Sequence, residues 1–511
     1  MVVKGVIKKG AYFDSVALMN VGRELSARDG VVDAAVVMGT KENKGILANS
    51  SLLLNEFKNA ADTDLLIGIK AKTQAAAESA VKAAEELLAA TRKQASGGSE
   101  DFKPMSLAGA LEKIPDANLA LISVAGRYAA GEAMKALAGG LHVMLFSDNV
   151  SIEDEKELKQ FARKKGLLVM GPDCGTAIIN GVPLAFANVV NRGDIGVVAA
   201  SGTGCQEVTS IISNEGCGIS QAIGTGGRDV KKDIGGIMFI ESLKALAADK
   251  DTRVILLVSK PPHETVMREI RKITSKIRKP VVSMFLGAAP TDPLMALTLE
   301  EAALKAVALS RGRKVKDVER QLAESDAALR DQAKVLSKRC KKGQKYLRGL
   351  FSGGTFCTEA QILYQKLPGG LYANAPAGSA KRLKNLQKSQ KNTVIDLGED
   401  EFTVGRPHPM IDFSLRNRRI AQEASDPETA VILLDVVLGY GSNMDPAVEL
   451  KNVVAKAAKK VQVICSVTGT DRDPQNRRKV QQVLQQAGAV VMPTNAAACR
   501  LAGYIIENLG A

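Results

Sequence analysis

The chain has 511 residues, 45% of them hydrophobic, with 46 glycines, no tryptophan and a formal net charge of +14. That length exceeds what one hydrophobic core organises, so about three or more domains are expected. Mean hydropathy is −0.01, and no apolar run approaches the roughly 20 residues a membrane-spanning helix needs, which excludes that class.

In chain order, residues 2–7, 31–38 and 64–69 read as strands, each followed by a helix. The last of these helices, 75–90, is long and rich in Ala, Glu and Lys. This N-terminal α/β domain spans 1–92. Its start has neither an apolar h-region nor a small-residue cleavage site, so a cytoplasmic protein without a signal peptide is expected. A polar stretch containing Ser96-Gly97-Gly98-Ser99 reads as a linker. The next unit, 105–191, has strands at 119–125, 142–146 and 167–170, with helices running through 137 and over 153–165. A third, 192–311, has strands at 195–200, 219–223, 254–258 and 281–285. A basic helical linker, 312–346, leads to a fourth, 347–511, with strands at 393–397, 431–437, 461–467 and 490–492. Strands alternating with helices of this length indicate βαβ units. The fold class is therefore α/β with several parallel-sheet domains: a Rossmann unit and two flavodoxin-like units related by distant internal duplication.

The positive charge is local. Residues 311–348 hold 13 Lys and Arg against 5 Asp and Glu, and 381–391 add five positives and no negatives. The first of these segments has helical spacing of Val315, Val318, Leu322, Leu329 and Val335. It reads as a solvated connecting helix, with docking to an acidic partner or polyanion as the alternative. No aromatic residue interleaves with the charges of the helical stretch, so nucleic acid is not expected. The seven cysteines include no C-x-x-C pair and the three histidines lie far apart. Reduced thiols, no disulfide framework and no metal site are expected.

Two short loops stand out: Ser201-Gly202-Thr203-Gly204 and Ser352-Gly353-Gly354-Thr355. Each leads from a strand into a helix. Such a turn points free backbone N–H groups outward at the positive end of the helix dipole, which suits phosphate or carboxylate. Two of them suggest two related units facing one anion. Further candidates lie at strand ends, where open parallel sheets bind ligands. Gly226, Gly227 and Arg228 follow one strand, and Arg228 could clamp an anion. Arg406, His408 and Asp412 lie in a segment stiffened by two prolines. Asp435 ends another strand. Thr468, Gly469, Thr470 and Arg472 follow a third. Lys260-Pro261-Pro262-His263, at another strand end, reads as a turn.

Gly171-Pro172-Asp173-Cys174-Gly175, Ser201-Gly202-Thr203 and the run 224–227 resemble landmarks of the succinyl-CoA synthetase α subunit. Residues 352–511 resemble the CoA-ligase domain of its β subunit. The whole chain resembles the FdrA family, a fused relative. The resemblance is carried by Ile7-Lys8-Lys9-Gly10, Leu145-Phe146-Ser147-Asp148-Asn149-Val150, the runs 168–176, 183–188 and 405–412, and Thr468-Gly469-Thr470-Asp471-Arg472-Asp473-Pro474. It implies a CoA-binding-like Rossmann domain at 105–191 and synthetase α-like and β-like ligase domains at 192–311 and 347–511. The synthetase's phosphohistidine segment reads Leu286-Gly287-Ala288-Ala289-Pro290 here, and 321–346 is too short and polar for an ATP-grasp module.

What the FdrA resemblance then implies is a subunit of an oxamate carbamoyltransferase in anaerobic allantoin degradation, converting oxalurate and phosphate into oxamate and carbamoyl phosphate. The two loops would hold phosphate. Arg228, Arg406 or Arg472 could bind the oxamate carboxylate, and His408 could act as general acid/base. No cofactor is certain; carbamoyl phosphate or phosphate is a substrate, and CoA is possible. Partner subunits, in a homo- or hetero-oligomer, are expected. Two other readings stay open: an acyl-CoA synthetase that draws ATP binding from a partner, and a non-catalytic structural subunit.

Overall fold

The computed structural model describes residues 1–11, 13, 15–26, 28–96, 104, 106–403 and 407–510. The chain divides into two compact units, 1–105 with 399–408, and 106–398 with 409–511.

The first unit runs β1 (Val2–Lys8), α1 (Ser15–Ser26), β2 (Val31–Met38), α2 (Lys41–Asn49), β3 (Leu65–Ala71) and α3 (Gln74–Ser96). Its sheet has the order β1-β3-β2, and both pairings are antiparallel. This differs from the parallel arrangement that strand–helix alternation suggests. Helix α1 carries the chain past one strand's width, and β3 returns into the gap. α3 packs on the sheet through Ala80, Ala84 and Leu88, flanked by the ion pairs Lys4–Glu78 at 2.9 Å and Lys8–Glu85 at 2.8 Å.

The second unit begins with α4 (Leu107–Lys113), β4 (Leu119–Ile122), α5 (Gly126–Ala138), β5 (His142–Leu145), α6 (Ile152–Lys165) and β6 (Val169–Met170). The three strands form a parallel sheet in simple sequence order. α6 shows how the sequence sets an element. The Ser151 hydroxyl caps its N-terminus by accepting from Asp154 N, acidic residues fill its first turn, basic residues fill its last, and Gly166 closes it at φ 69°.

Next come β7 (Thr176–Ile179), β8 (Val182–Ala185), β9 (Arg192–Ala200), α7 (Gly202–Asn214), β10 (Ile219–Gly224), α8 (Ile237–Ala248), β11 (Val254–Ser259), α9 (Glu264–Thr274), β12 (Val281–Phe285), β13 (Met295–Ala296) and α10 (Leu299–Ser310). They build a seven-stranded sheet in the order β13-β12-β11-β9-β10-β7-β8. Asn180 and Gly181, at φ 51° and 82°, turn β7 into β8 with the left-handed pair that suits a two-residue hairpin. This hairpin, read in the sequence as part of 105–191, pairs antiparallel with β10 and so belongs to the following sheet.

After α11 (Val315–Ser337) the chain repeats the theme with β14 (Tyr346–Phe351), α12 (Gly354–Leu363), β15 (Leu371–Ala373), β16 (Lys381–Arg382) and β17 (Asn392–Asp396). α13 (Asp400–Thr403) groups with the first unit. Then follow α14 (Ser414–Glu423), β18 (Thr429–Val437), α15 (Pro446–Ala458), β19 (Gln462–Thr468), α16 (Arg477–Gln486), β20 (Val490–Met492) and α17 (Asn495–Gly510). The order is β16-β15-β17-β14-β18-β19-β20, all parallel. β18 is buried along its whole length, as a central parallel strand must be.

The two seven-stranded sheets share one order, second-first-third-fourth-fifth, in β10-β9-β11-β12-β13 and β17-β14-β18-β19-β20. Ile212, Leu299, Phe356, Ala360, Leu501 and Ile505, drawn from helices of both halves, lie in one continuous apolar core. The linker helix α11 joins that core through Val318, Leu329, Ala333 and Leu336. Val335, expected on its apolar face, is instead 55% exposed. The basic segment is thus a packed helix with one solvated face.

Candidate functional site

The two Gly-rich loops meet. Each follows the first parallel strand of its sheet, β9 or β14, where the strand order reverses. The Ser201 hydroxyl accepts from Gly204 N at 3.1 Å, capping α7, and lies 2.6 Å from the Thr355 hydroxyl in the first turn of α12. From the other side, a Cβ on Gly353 would come within 2.9–3.0 Å of the Thr203 side chain. Two helix N-termini therefore abut, each presenting first-turn N–H groups and partial positive charge. Gly204 is required sterically, since a Cβ there would sit 2.3 Å from Ser201 Oγ. Gly202 is exposed, with only Thr176 Oγ1, at 3.8 Å, near the space a Cβ would take.

The loops align one residue away from the sequence reading. Ser201 and Gly353 are the capping residues, so Gly202, Thr203, Cys205 and Glu207 match Gly354, Thr355, Cys357 and Glu359. The two glutamates were not singled out in the sequence, and laying the helices in this register would have found them. Glu207, on α7, accepts from the backbone N of Asn495 at 2.9 Å and from Thr468 Oγ1 at 2.6 Å. Glu359, on α12, accepts from the backbone N of Leu299 at 2.8 Å and from Asn495 Nδ2 at 2.7 Å. Each half thus caps the last helix of the other. Burial raises both carboxyls, that of Glu359 to about 7, against the hydrogen bonds that lower them.

The second loop is partly filled from within. Asp435 takes Ser352 N at 2.8 Å, Ser352 Oγ at 2.8 Å and Gly353 N at 2.9 Å, and it pairs with the fully buried Arg416 at 3.1 Å. Asp435, read as a substrate contact, is therefore an internal cap of the loop, and Ser352 is committed to it. A second carboxylate, Asp396, faces the first turn of α12, its Oδ2 lying 2.6 Å from where a Cβ on Gly354 would stand, so the open space at the junction is the one beside Gly202.

Other expected substrate contacts are engaged in structure. Arg228 donates to Val150 O at 2.8 Å and pairs with Glu155 at 2.9 Å. It borders a buried cluster in which Lys159 binds Glu155 and Asp229, each at 2.8 Å. Gly226, at φ 80°, packs so closely that a Cβ would meet Pro172 O at 2.4 Å, whereas Gly227 faces open space. The segment 468–473 is a brace between the halves. Thr468 bonds Glu207, the Thr470 hydroxyl donates to Val189 O at 2.6 Å, and Gly469 O accepts from Asn214 Nδ2 at 2.9 Å. The exposed Arg472 reaches Asn191 Oδ1 at 3.3 Å. Of the expected catalytic pair, Arg406 lies outside the described residues. His408 falls in the segment that groups with the first unit.

Five buried thiols are unsuited to nucleophilic roles. Burial lifts Cys174, Cys205 and Cys465 to about 12, and Cys357 and Cys499 also lie well above the usual thiol value.

Family models match three stretches: "AllF, heavy metal-associated domain" over residues 1–104, "CoA binding domain" over 190–287, and "CoA-ligase" over 350–505. The chain is 44% identical over 503 residues, 96% of each protein, to the uncharacterized protein YahF of Escherichia coli strain K12. It is 25% identical over 181 residues, 35% of this chain and 58% of the relative, to subunit alpha of the ADP-forming succinate–CoA ligase of Staphylococcus epidermidis. Among solved structures, a dinucleotide-forming acetyl-coenzyme A synthetase 1 of Ca. Korarchaeum cryptofilum aligns with TM-score 0.29 at 15% identity, covering 76% of this chain and 83% of that one.

Two groups suggested by these descriptions can be tested against the residues. Residues 1–104 contain neither cysteine nor histidine, the thiolate and imidazole donors of most soft-metal sites, and among the described residues no group of His, Cys, Asp or Glu gathers to hold a metal, so they fit one poorly. In 105–191, where the resemblance places a CoA-binding-like domain, the glycine opening α5 is needed for close backbone packing. The space of a Cβ at Gly126 is taken by Asp148 O at 2.3 Å, and Val124 N is bound by Ser147 Oγ at 3.0 Å. The match to the CoA binding domain lies elsewhere, over residues 190–287.

Proposed function

The chain belongs to the FdrA (AllF-like) family, and on that footing we propose that it is a cytoplasmic carbamoyltransferase subunit, acting with partner subunits on oxalurate and phosphate. One observation carries the reading: two helix N-termini meet through Ser201 and Thr355, beside an open Gly202. The stretch 286–299, where a phosphohistidine would stand, has no histidine. A free phosphoryl group, rather than one tethered to a side chain, suits such a site.

The chemistry balances without a covalent enzyme intermediate. A phosphate oxygen attacks the ureido carbon of oxalurate, forming the C–O bond of carbamoyl phosphate. The C–N bond to oxamate breaks, and the nitrogen takes the proton that hydrogen phosphate carried. The helix N–H groups hold the phosphoryl oxygens throughout. The matches to CoA-binding and CoA-ligase models favour a second reading, a CoA-linked ligase.

Thermal unfolding of the full chain against phosphate, carbamoyl phosphate, oxamate and CoA separates the two. Ligand at a hundredfold excess over Kd stabilises by about 2.7 kcal/mol. Stabilisation by carbamoyl phosphate that is weakened in Gly202→Ala is the expected result. Stabilisation by CoA alone would sink the carbamoyltransferase reading.

A further inference from the structure

Lys260 is the first residue beyond β11. Ser259, the last residue of β11, pairs in register with Ala200 at the end of β9 and with Phe285 at the end of β12. Lys260 therefore leaves the sheet beside Ser201, one strand spacing (about 5 Å) away. Two prolines follow it, and a residue before proline is held in the extended region. Its own carbonyl accepts from Ser259 Oγ at 2.6 Å, fixing the backbone further. The side chain is exposed and makes no ion pair among the described residues. Burial first, then the charges of Asp396 and Asp435, raise the Cys357 thiol, and the Lys260 charge is the smallest influence on it, acting in the opposite direction. Cys357 lies in the first turns of α12, two residues beyond Thr355. A cation on a fixed stretch of backbone, making no ion pair among the described residues, thus leaves the sheet beside Ser201.

We propose that Lys260 is a substrate-binding residue, the cation that holds the phosphoryl group at the junction of α7 and α12. This rests on the phosphate reading above and adds the residue that neutralises the dianion. The helix ends offer only partial charges, and two carboxylates oppose an anion there, Asp435 capping the second loop and Asp396 beside Gly354. A full positive charge on the open side favours a doubly charged phosphoryl group over a carboxylate.

The test is titration of the full chain and of Lys260→Ala, Lys260→Arg and Gly202→Ala with inorganic phosphate and with carbamoyl phosphate, followed by calorimetry. Lys260→Ala should bind both about tenfold or more weakly. Lys260→Arg should recover most of that loss, and ligand-free unfolding should be unchanged because the residue is exposed. If Lys260→Ala binds as tightly as the unaltered chain while Gly202→Ala does not, the role of Lys260 is overturned and the phosphate site stands. If the unaltered chain binds neither anion, both fall.

Discussion

Glu359 is sealed from solvent six residues into α12, where two hydrogen bonds fail to offset its burial. Its folded pKa is about 7 against an ordinary 4.5, so between those values the folded state keeps a proton that the unfolded chain releases. Stability then falls as pH rises through that window and levels off above it. Glu207, also raised by burial, adds the same sign. Glu359→Gln should flatten this slope, removing on the order of 1–3 kcal/mol of pH-dependent loss, as read by urea unfolding at pH 5 and pH 7.5. An unchanged slope would assign the proton elsewhere. The sequence displayed the Gly-rich loops because a loop's chemistry is local. It hid these glutamates because the backbone N–H that Glu207 holds lies 288 residues away. Asp435 was visible as a strand-end carboxylate, but its use as an internal cap depends on a loop 83 residues earlier.

At the scale of elements, α11 was legible in kind, but it ends at Ser337 rather than running through the 312–346 linker, and one residue was placed out of phase. Val318 and Leu336 are 18 residues apart, five full turns, and share a face. Val335 lies 100° off that face. Leu336 is 5% exposed and Val335 55%. Leu336→Ala should therefore cost about 2–5 kcal/mol, while Val335→Lys should stay within about 0.5 kcal/mol; denaturant midpoints of the two variants check both. Equal costs would mean that the helix is rotated. The first unit's sheet shows a different limit. Alternation of strands and helices predicts βαβ geometry, yet the direction of β3 is set by where α2 and the following chain turn back, which periodicity does not encode. The β7–β8 hairpin had a clear local mark in Asn180-Gly181. Its allegiance to β10 needed the tertiary pairing.

Across the second unit, the two seven-stranded sheets are not separable cores. Residues from α7, α10, α11, α12 and α17 line one apolar cluster, and Asn188 Nδ2 bonds both Leu438 O at 3.0 Å and Asp473 at 2.9 Å. Amide exchange in β9 and β18 should therefore slow and fail together, with the same denaturant midpoint. A midpoint gap beyond error would show the halves unfolding independently. The α/β class and the duplicated units were readable because strand and helix periods repeat along the chain. The merging of the halves into one body was not, because its contacts join residues hundreds of positions apart.

The reciprocal capping of α10 by Glu359 and of α17 by Glu207 has a consequence for how the chain could be divided. Each final helix has a threonine cap of its own, Thr298 for α10 and Thr494 for α17, and takes one further acceptor, a carboxylate, from the other half. The second unit is in effect a heterodimer written as a single polypeptide, with α11 and the exposed turn at Lys341, Lys342 and Gly343 serving as a tether. Such a tether supplies proximity, worth an effective concentration of order millimolar. Severed at that turn, the two pieces would remain mates with interlocking ends, recognising one another through the same buried glutamates that now hold them within one chain.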